Sequence, residues 1–422
     1  MLSVGYNKFK KKAKRRLERI LFILDEYSGI TPWLINGERP HGSPALYVLL
    51  ERIMQENIMI DILYPSIKKP VKNIHSNSHI HTIYKPRSKR KIIVLFERVF
   101  QFLQTLVLMF SICFRNKPQV IYSTGYMTLP ACFLGKIFNI KIIARIYGTF
   151  LYEKFLNKNL INLLSAIPEM LVLKSPADVF IITNDGTRGD KVAEQLKVPQ
   201  KKIKFWINGV NKKMLQSYRD ERQEIRNQLN ISKDKIIISS IGRLAKWKRV
   251  DLTIKIYAEV LRKNPKIPTE LLIVGDGKEL NTLKTLARSL DLENNVSFIG
   301  AVDHCTALKY MVASDILMFF YKHSNVGNVL LEALSLGKVV VCCDTGDTAS
   351  FIKHGLNGLL IPNSSDEQII AIGSEYLFDL VHNPHEMEKL RRNALAFAEK
   401  EIPDWEERIK KEITLIKTVA LS

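Results

Sequence analysis

Ser324-Asn325-Val326-Gly327-Asn328-Val329-Leu330-Leu331-Glu332-Ala333-Leu334-Ser335-Leu336-Gly337-Lys338 lies between two short apolar runs, Ile316 to Phe320 and Val339 to Cys343. The runs lack period-2 alternation, so they read as strands buried on both faces of a parallel sheet. The segment between them reads as a Gly-containing loop entering a short helix. Strand, helix and second parallel strand form the unit from which doubly wound α/β folds are built. Glu332 stands among Leu330, Leu331, Ala333 and Leu334. It is either a surface carboxylate or an inward one that needs a partner, because an unpaired charge in apolar surroundings is costly. A ligand with paired hydroxyls would supply that partner. The loop's N–H groups, with a helix N-terminus behind them, suit an anion or sugar oxygens.

The same alternation extends in both directions. Apolar runs occur at Ile20 to Leu24, Met59 to Tyr64, Val120 to Ser123, Ile140 to Ala144 and Val179 to Thr183. They resume at Ile236 to Ser240, Glu270 to Val274, Val296 to Ile299 and Gly358 to Ile361. Helical patterns lie between them, such as Pro44 to Glu56, where Ser43 can cap and Pro44 suits the first helical position, and Asp251 to Lys263. The fold class that follows is α/β, with two Rossmann-like doubly wound parallel-sheet domains facing a cleft. The polar run Lys212 to Lys235 sets the seam, giving a first domain over 17–211 and a second over 212–402. Residues 1–16 form a basic tail expected to be disordered. The spacing of Trp405, Ile409, Ile413 and Ile416 predicts a final helix over 403–419 that crosses back to the first domain.

With 422 residues, 46% of them hydrophobic and 25% charged, each half can bury its own core. Five cysteines in apolar runs without metal-ligand spacing point to a reducing compartment and no structural zinc. A net charge of +21 predicts attraction to polyanions: nucleic acid, an anionic membrane face or a phosphorylated ligand. No zinc-finger spacing or RNP-like strand accompanies it. The apolar run after the basic tail is too short for a signal-peptide core. Val99 to Phe114 is shorter than a membrane span and bracketed by Glu97, Arg98, Arg115 and Lys117. It reads as a helix packed on a sheet, with a helix dipping into a membrane interface as the alternative.

Other chemistry-bearing groups stand at predicted strand ends. Gly242-Arg243-Leu244-Ala245-Lys246-Trp247-Lys248 follows the run ending at Ile241, at the carboxyl edge where parallel sheets bind ligands. Arg243 as a fork and Lys248 as a point charge could hold a pyrophosphate; a solvated basic loop is the plain alternative. Gly275-Asp276-Gly277 is a lone Gly-x-Gly, more suited to a tight turn than to a dinucleotide site. Thr345 and Gly346 follow the run that ends at Cys343 and read as a ligand-facing loop or as a simple turn.

Taken in order, Gly242-Arg243-Leu244 with its lysine, Val274-Gly275-Asp276-Gly277, Phe298-Ile299-Gly300, Ala313-Ser314-Asp315-Ile316, Leu331-Glu332-Ala333, Gly337-Lys338 and Asn357-Gly358-Leu359-Leu360 resemble the retaining glycosyltransferases of the GT-B fold, family 4. The resemblance covers the second half almost completely. The first half matches more weakly, around Gly42, Tyr147-Gly148-Thr149 and Asn208-Gly209-Val210-Asn211. It implies that Arg243 and Lys248 hold the donor diphosphate and that Glu332 binds the ribose hydroxyls. It implies a donor-binding set of Gly42, Ser324, Asn325, Val326, Gly327, Asn328, Val329 and Glu332, with backbone amides near Val326, Gly327 and Asn328 on the sugar or phosphate. Tyr147 and Asp185 are first-domain candidates to position the acceptor.

This chain departs from the family at three places. Ser324 stands where members carry an acid eight positions before the helix glutamate, Tyr147 replaces a frequent histidine, and Arg249 stands where glycine usually follows the lysine. With no Asp-x-Asp in the chain, no metal is expected, and the cationic pair would act in its place. The expected partners are a nucleotide-diphosphate sugar, a glycan or lipid-linked acceptor and an anionic membrane surface, with no nucleic acid. The expected location is cytoplasmic or peripheral on the cytoplasmic membrane face. A GT-B-fold nucleotide-sugar epimerase and a catalytically impaired nucleotide-sugar-binding partner are the competing readings.

Overall fold

The computed structural model describes residues 16–25, 30–37, 44–66, 74–88, 90–149, 151–156 and 160–422. The first half builds β1 (Arg19–Ile23), α1 (Thr31–Asn36), α2 (Pro44–Met54), β2 (Met59–Pro65), β3 (Ser78–Ile83), α3 (Lys91–Arg115), β4 (Val120–Thr124), α4 (Thr128–Phe138), β5 (Lys141–Ile146), α5 (Leu151–Leu156), α6 (Leu160–Leu173), β6 (Val179–Thr183), α7 (Gly189–Gln195) and β7 (Ile203–Trp206). The second half adds α8 (Lys212–Asp220), α9 (Arg222–Gln228), β8 (Ile236–Ile241), α10 (Val250–Lys263), β9 (Thr269–Val274), α11 (Leu280–Ser289), β10 (Val296–Gly300), α12 (His304–Ala313), β11 (Ile316–Phe319), α13 (Asn328–Ser335), β12 (Val339–Cys343), β13 (Leu359–Ile361), α14 (Asp366–His382), α15 (Pro384–Glu401) and α16 (Trp405–Leu421).

Two parallel sheets result, one ordered β3-β2-β1-β4-β5-β6-β7 and the other β10-β9-β8-β11-β12-β13. Both are doubly wound, and in each the strand order reverses beside the first strand, between β1 and β4 and between β8 and β11. Successive residues of a central strand feed opposite cores. Ile20 and Phe22 pack with Leu50, Ile53 and Ile413 on one face of the first sheet. Leu21 and Ile23 pack with Met109, Ala131 and Val192 on the other. This two-sided burial is why the central strands are unbroken apolar runs.

β3 and β7 have no counterpart in the apolar runs of the sequence. They are the two outer strands of the first sheet, and Ser-His-Ile-His-Thr-Ile and Ile-Lys-Phe-Trp carry the polar side chains that a half-exposed edge permits.

α8 and α9, at the predicted seam, join the second domain's core through Leu215 and Ile225. Asn211 caps α8, its side chain accepting from Met214 N–H at 3.0 Å. Beside it Val210 bridges Asp404, and a Cβ on Gly209 would lie 2.8 Å from Trp405 N. The outgoing and returning chain thus cross in contact, which only a glycine at 209 allows. From there α16 returns to the first domain and buries Ile409, Ile413, Ile416 and Val419 in its core. Tyr122 OH donates to Glu412, which also meets Arg408 at 2.7 Å and Arg145 at 3.5 Å.

The helix expected near Val99 to Phe114 is longer than the apolar run, spanning Lys91–Arg115. It packs on the sheet along one stripe only, through Met109, Ile112 and Cys113. The basic tail through residue 15, Ser43 and Gly42 lie outside the described residues.

Candidate functional site

At the reversal between β8 and β11 the two carboxyl ends diverge, leaving a crevice that residues after either strand can line. Gly242 leaves β8 with φ +140°, and the loop it opens rests on the β9 turn: a Cβ on Gly275 would lie 1.9 Å from Gly242 O, and one on Gly277 2.2 Å from Leu244 O. The Gly-x-Gly therefore serves to seat the Arg243 loop. Arg243 is exposed, and no described carboxylate pairs with it or with Lys248.

Lys248 is held between rings, its Nζ 3.3 Å from the centroid of Tyr321 and 4.3 Å from that of Trp247. Burial first, and the neighbouring Arg243 charge second, lower its ammonium to a pKa of about 7. Two unpaired cations, one of them desolvated, leave a place for an anion that would satisfy both. Arg249 is engaged elsewhere, with Asp366 at 2.6 Å and Asp251 at 3.3 Å.

Across the reversal, β11 leads into Tyr321 and the 322–327 loop. Gly327 is the N-cap of α13 and offers no side chain to it, so the first N–H groups of the helix are uncapped. A Cβ on Gly327 would meet nothing within 4 Å, so the space before it is open. Not every expected donor group is free. Asn325 is 1% exposed, and its amide is spent on Tyr321 N (3.0 Å), Cys343 O (2.7 Å) and Thr345 Oγ1 (3.0 Å), so it braces the loop instead of reaching a sugar. The Val326 N–H donates to Ser324 Oγ at 3.0 Å, and the Val326 side chain is buried, which removes Val326 from the amide set. Gly327, Asn328 and Val329 remain at the helix start.

Glu332 lies further along α13, 9% exposed, with its Oε1 2.8 Å from His304 Nε2 at the start of α12. Arg243, Lys248 and Glu332 thus all stand on the carboxyl edge of one sheet, the two cations following β8 and the carboxylate following its neighbour β11.

The first domain meets this edge through Asp185 and Gly186. Ser324 Oγ donates to Asp185 O at 2.7 Å, and Asp347 N–H donates to Gly186 O at 2.8 Å. Asn208 Nδ2 donates to Asn328 Oδ1 at 2.9 Å, and Arg188 lies 3.6 Å from Asp347. The Asp185 carboxyl accepts from Thr187 Oγ1 at 2.6 Å, and burial pushes its pKa up to about 6. It is packed so closely on Gly148 that a Cβ there would lie 2.0 Å away. The Tyr147 hydroxyl is buried without a hydrogen-bond partner among the described residues, and burial raises its pKa.

Gly186 has φ +76°, and a Cβ on it would lie 2.1 Å from Ser324 Oγ and 2.8 Å from Val326 Cγ2. Gly186→Ala is expected to lose about 1–2 kcal/mol of stability from the left-handed backbone alone, before the interdomain clash. Urea denaturation measures it, and an unchanged midpoint would show that the loop contact is not maintained in solution.

A cavity of about 1180 Å³ lies beside the cations, between Trp247 and Tyr321 on one side and Asp366 and Ile369 on the other. A smaller one, about 200 Å³, separates Tyr152 and Arg188 of the first domain from His323 and Gly346 of the second. Arg243, Lys248 and Glu332 line neither, so the site is defined by the groups that converge on one sheet edge and not by an enclosed cavity.

The rings around Lys248 and the His304 partner of Glu332 escaped sequence reading. The Lys246-Trp247-Lys248 run was the available signal for the first; nothing local ties His304 to a residue 28 positions on. Asp25, 4% exposed at the reversal of the first sheet, was also missed. Its N–H donates to Thr124 Oγ1 at 2.7 Å, and it closes on Gly125, where a Cβ would lie 2.2 Å from its carboxylate.

Residues 221–397 match the family described as Glycosyl transferases group 1. An uncharacterized glycosyltransferase of Methanocaldococcus jannaschii, MJ1069, is 34% identical over 42% of this chain and 44% of its own. The N-acetyl-alpha-D-glucosaminyl L-malate synthase of Bacillus anthracis is 28% identical over 39% and 42%. These matches span less than half the length of either relative. The whole fold is similar to that of Anabaena HepE in complex with UDP, with a TM-score of 0.69 and 17% identity over 94% of this chain and 99% of that one. The chain therefore has the GT-B fold, and residues 221–397, less than half of it, are similar to the glycosyl transferases group 1 family.

Proposed function

We propose that the protein is a retaining family 4 glycosyltransferase that moves a sugar from a nucleotide-diphosphate sugar to a glycan or lipid-linked acceptor without a metal, in polysaccharide or glycolipid synthesis at the cytoplasmic side of a membrane. One observation carries the reading: Arg243, unpaired among the described residues, and the desolvated Lys248 stand on the same sheet edge as the uncapped start of α13 and Glu332. A diphosphate between the cations and the helix N–H groups, with the ribose on Glu332, satisfies all of them at once.

The chemistry follows from the charge that develops. As the bond from the anomeric carbon to the phosphate oxygen breaks, its electron pair stays on the leaving diphosphate. Arg243, Lys248 and the α13 N–H groups are already oriented to stabilise that charge. The acceptor hydroxyl attacks from the face the diphosphate leaves, and its proton passes to the departing phosphate oxygen, so the configuration is kept. Neither step calls on a side-chain nucleophile. Asp185 and Tyr147, where the first domain meets this edge, are the proposed acceptor-positioning groups. The diphosphate's charge is matched by two side-chain cations, which supports a metal-free reaction.

Ser324 favours a second reading. Its hydroxyl is committed to Asp185 O and Val326 N–H, so the position that carries an acid in the resembled family offers no free group to a sugar. A nucleotide-sugar-binding protein without turnover would fit this. Slow hydrolysis of one nucleotide sugar from a panel, without acceptor, is the expected result for the enzyme. Binding of a nucleotide sugar with no hydrolysis and no transfer would favour the second reading.

A further inference from the structure

α3 is built inside out. Every exposed side chain between residues 93 and 114 is apolar, and Leu95, Phe96, Leu103, Val107 and Phe114 are 54–76% exposed. The polar side chains turn toward the protein instead. Glu97 accepts from Tyr84 OH at 2.7 Å and from Ser88 N–H at 3.0 Å, Gln101 donates to Tyr84 O at 2.8 Å, and Gln104 accepts from Tyr84 N–H at 2.6 Å. Thr105 is fully buried. A helix facing water has the opposite arrangement.

The neighbouring helices continue the face. α4 lies between α3 and α6 and exposes Phe133 and Ile137, and α6 exposes Ile167 and Leu171. α4 adds exposed Lys136, exposed Lys174 directly follows α6, and α3 is flanked by exposed Arg87 and Arg90 at one end and Arg115 and Lys117 at the other. Glu97 and Glu169 are the carboxylates among the described side chains of these three helices, and Glu97 is turned inward.

We infer that this three-helix face docks in the interface of an anionic lipid bilayer, with α3 lying in the plane of the membrane. The basic rim complements anionic headgroups, and the apolar outer face suits the boundary with the acyl chains. A protein partner fits less well, since the exposed side chains between 93 and 114 offer it no hydrogen-bonding group. α3 is long and apolar enough to cross a membrane, at 25 residues or about 37 Å. However, Gln101, Thr105, Met109 and Cys113 fix it to its own domain along its length, which keeps it flat on the surface.

α3 begins just after the carboxyl end of β3, so the face starts at the cleft edge. Resting on the glycosyl-transfer reading above, this narrows the acceptor to one carried by a lipid, which would reach the cleft without leaving the bilayer.

The test is flotation of the full chain with phosphatidylcholine vesicles, with and without phosphatidylglycerol, compared with a Phe96→Asp/Leu103→Asp/Val107→Asp variant. Donor hydrolysis in solution and the circular dichroism spectrum report on folding and should not change, because these residues lie outside the binding machinery. The expected result is recovery of the wild type with anionic vesicles and at least a tenfold loss in the variant. Equal recovery of the two proteins would overturn the assignment. So would a lipid-free dimer that the same substitutions dissociate, since a second copy would then cover the face. Retention on vesicles after an alkaline carbonate wash would contradict the in-plane placement. Absence of hydrolysis in both proteins would count against the enzyme reading and leave flotation as the readout of the surface.

Discussion

Replacing Lys248 with alanine is expected to lower turnover by about 10²–10³, because removing one preorganised donor to a developing oxyanion commonly costs about 2.7–4 kcal/mol. The environment of this lysine sharpens the expectation. Its ammonium is already out of water, against Tyr321 and Trp247, and is not paired with any described carboxylate. Its desolvation has therefore been met in folding, and a bound diphosphate gains its attraction at low local dielectric. The same burial, with the Arg243 charge, puts the empty-site pKa at about 7. An anion favours the protonated lysine, so binding above that pH must draw in a proton. Donor affinity is expected to fall by about tenfold per pH unit above 7, until the pKa of the occupied site is reached. In Lys248→Ala that slope should vanish. Titrations of a nucleoside diphosphate between pH 6 and 9 measure it, and an identical slope in the variant would assign the proton to another group.

Glu412→Ala is expected to cost about 3–5 kcal/mol of stability, the range for removing one partner of a buried ion pair. Glu412 is 2% exposed, holds α16 to the first domain through Arg145 and Tyr122, and pairs with Arg408 one turn earlier on its own helix. Its loss leaves two buried guanidiniums without a counter-charge. Burial alone would raise the Glu412 pKa, but the facing Arg145 and Arg408 charges hold it below the usual carboxylate range. A carboxylate depressed in the folded state contributes stability that is present above its unfolded pKa and lost as pH falls through its folded one. The wild type should therefore lose this contribution in acid, and Glu412→Ala should show a correspondingly weaker acid dependence. Urea unfolding at neutral and acidic pH checks both, and a midpoint within error of the wild type would mean that α16 is held by its apolar stripe alone.

The central strands were legible because burial on both faces leaves them no polar positions; Ile20 to Ile23 are all fully buried. β3 and β7 were not, since an outer strand needs only one apolar face and His79, His81 and Lys204 interrupt the pattern. At the site, residues whose role is set by backbone geometry or by a strand end could be read from order alone: Arg243 and Lys248 after one strand, Gly327 and Glu332 after another. Groups defined by contacts across the chain could not. Asn325 looks like a free amide in sequence, yet folding spends it on Tyr321, Cys343 and Thr345. The α3 segment was legible as a helix packed on the sheet, but not as one packed along a single stripe, because an apolar run does not say which of its faces the protein covers.

In the proposed reaction Arg243 and Lys248 grip a diphosphate while Glu332 holds the attached ribose. Calorimetric titration of a panel of nucleoside diphosphates against the wild type, Arg243→Ala, Lys248→Ala and Glu332→Gln tests it most directly. The wild type is expected to bind at least one of them, and each substitution to weaken that binding tenfold or more. For Glu332→Gln, removing the ribose counterpart from the ligand should reproduce the loss. No binding by the wild type, or equal binding by all four proteins, would contradict it.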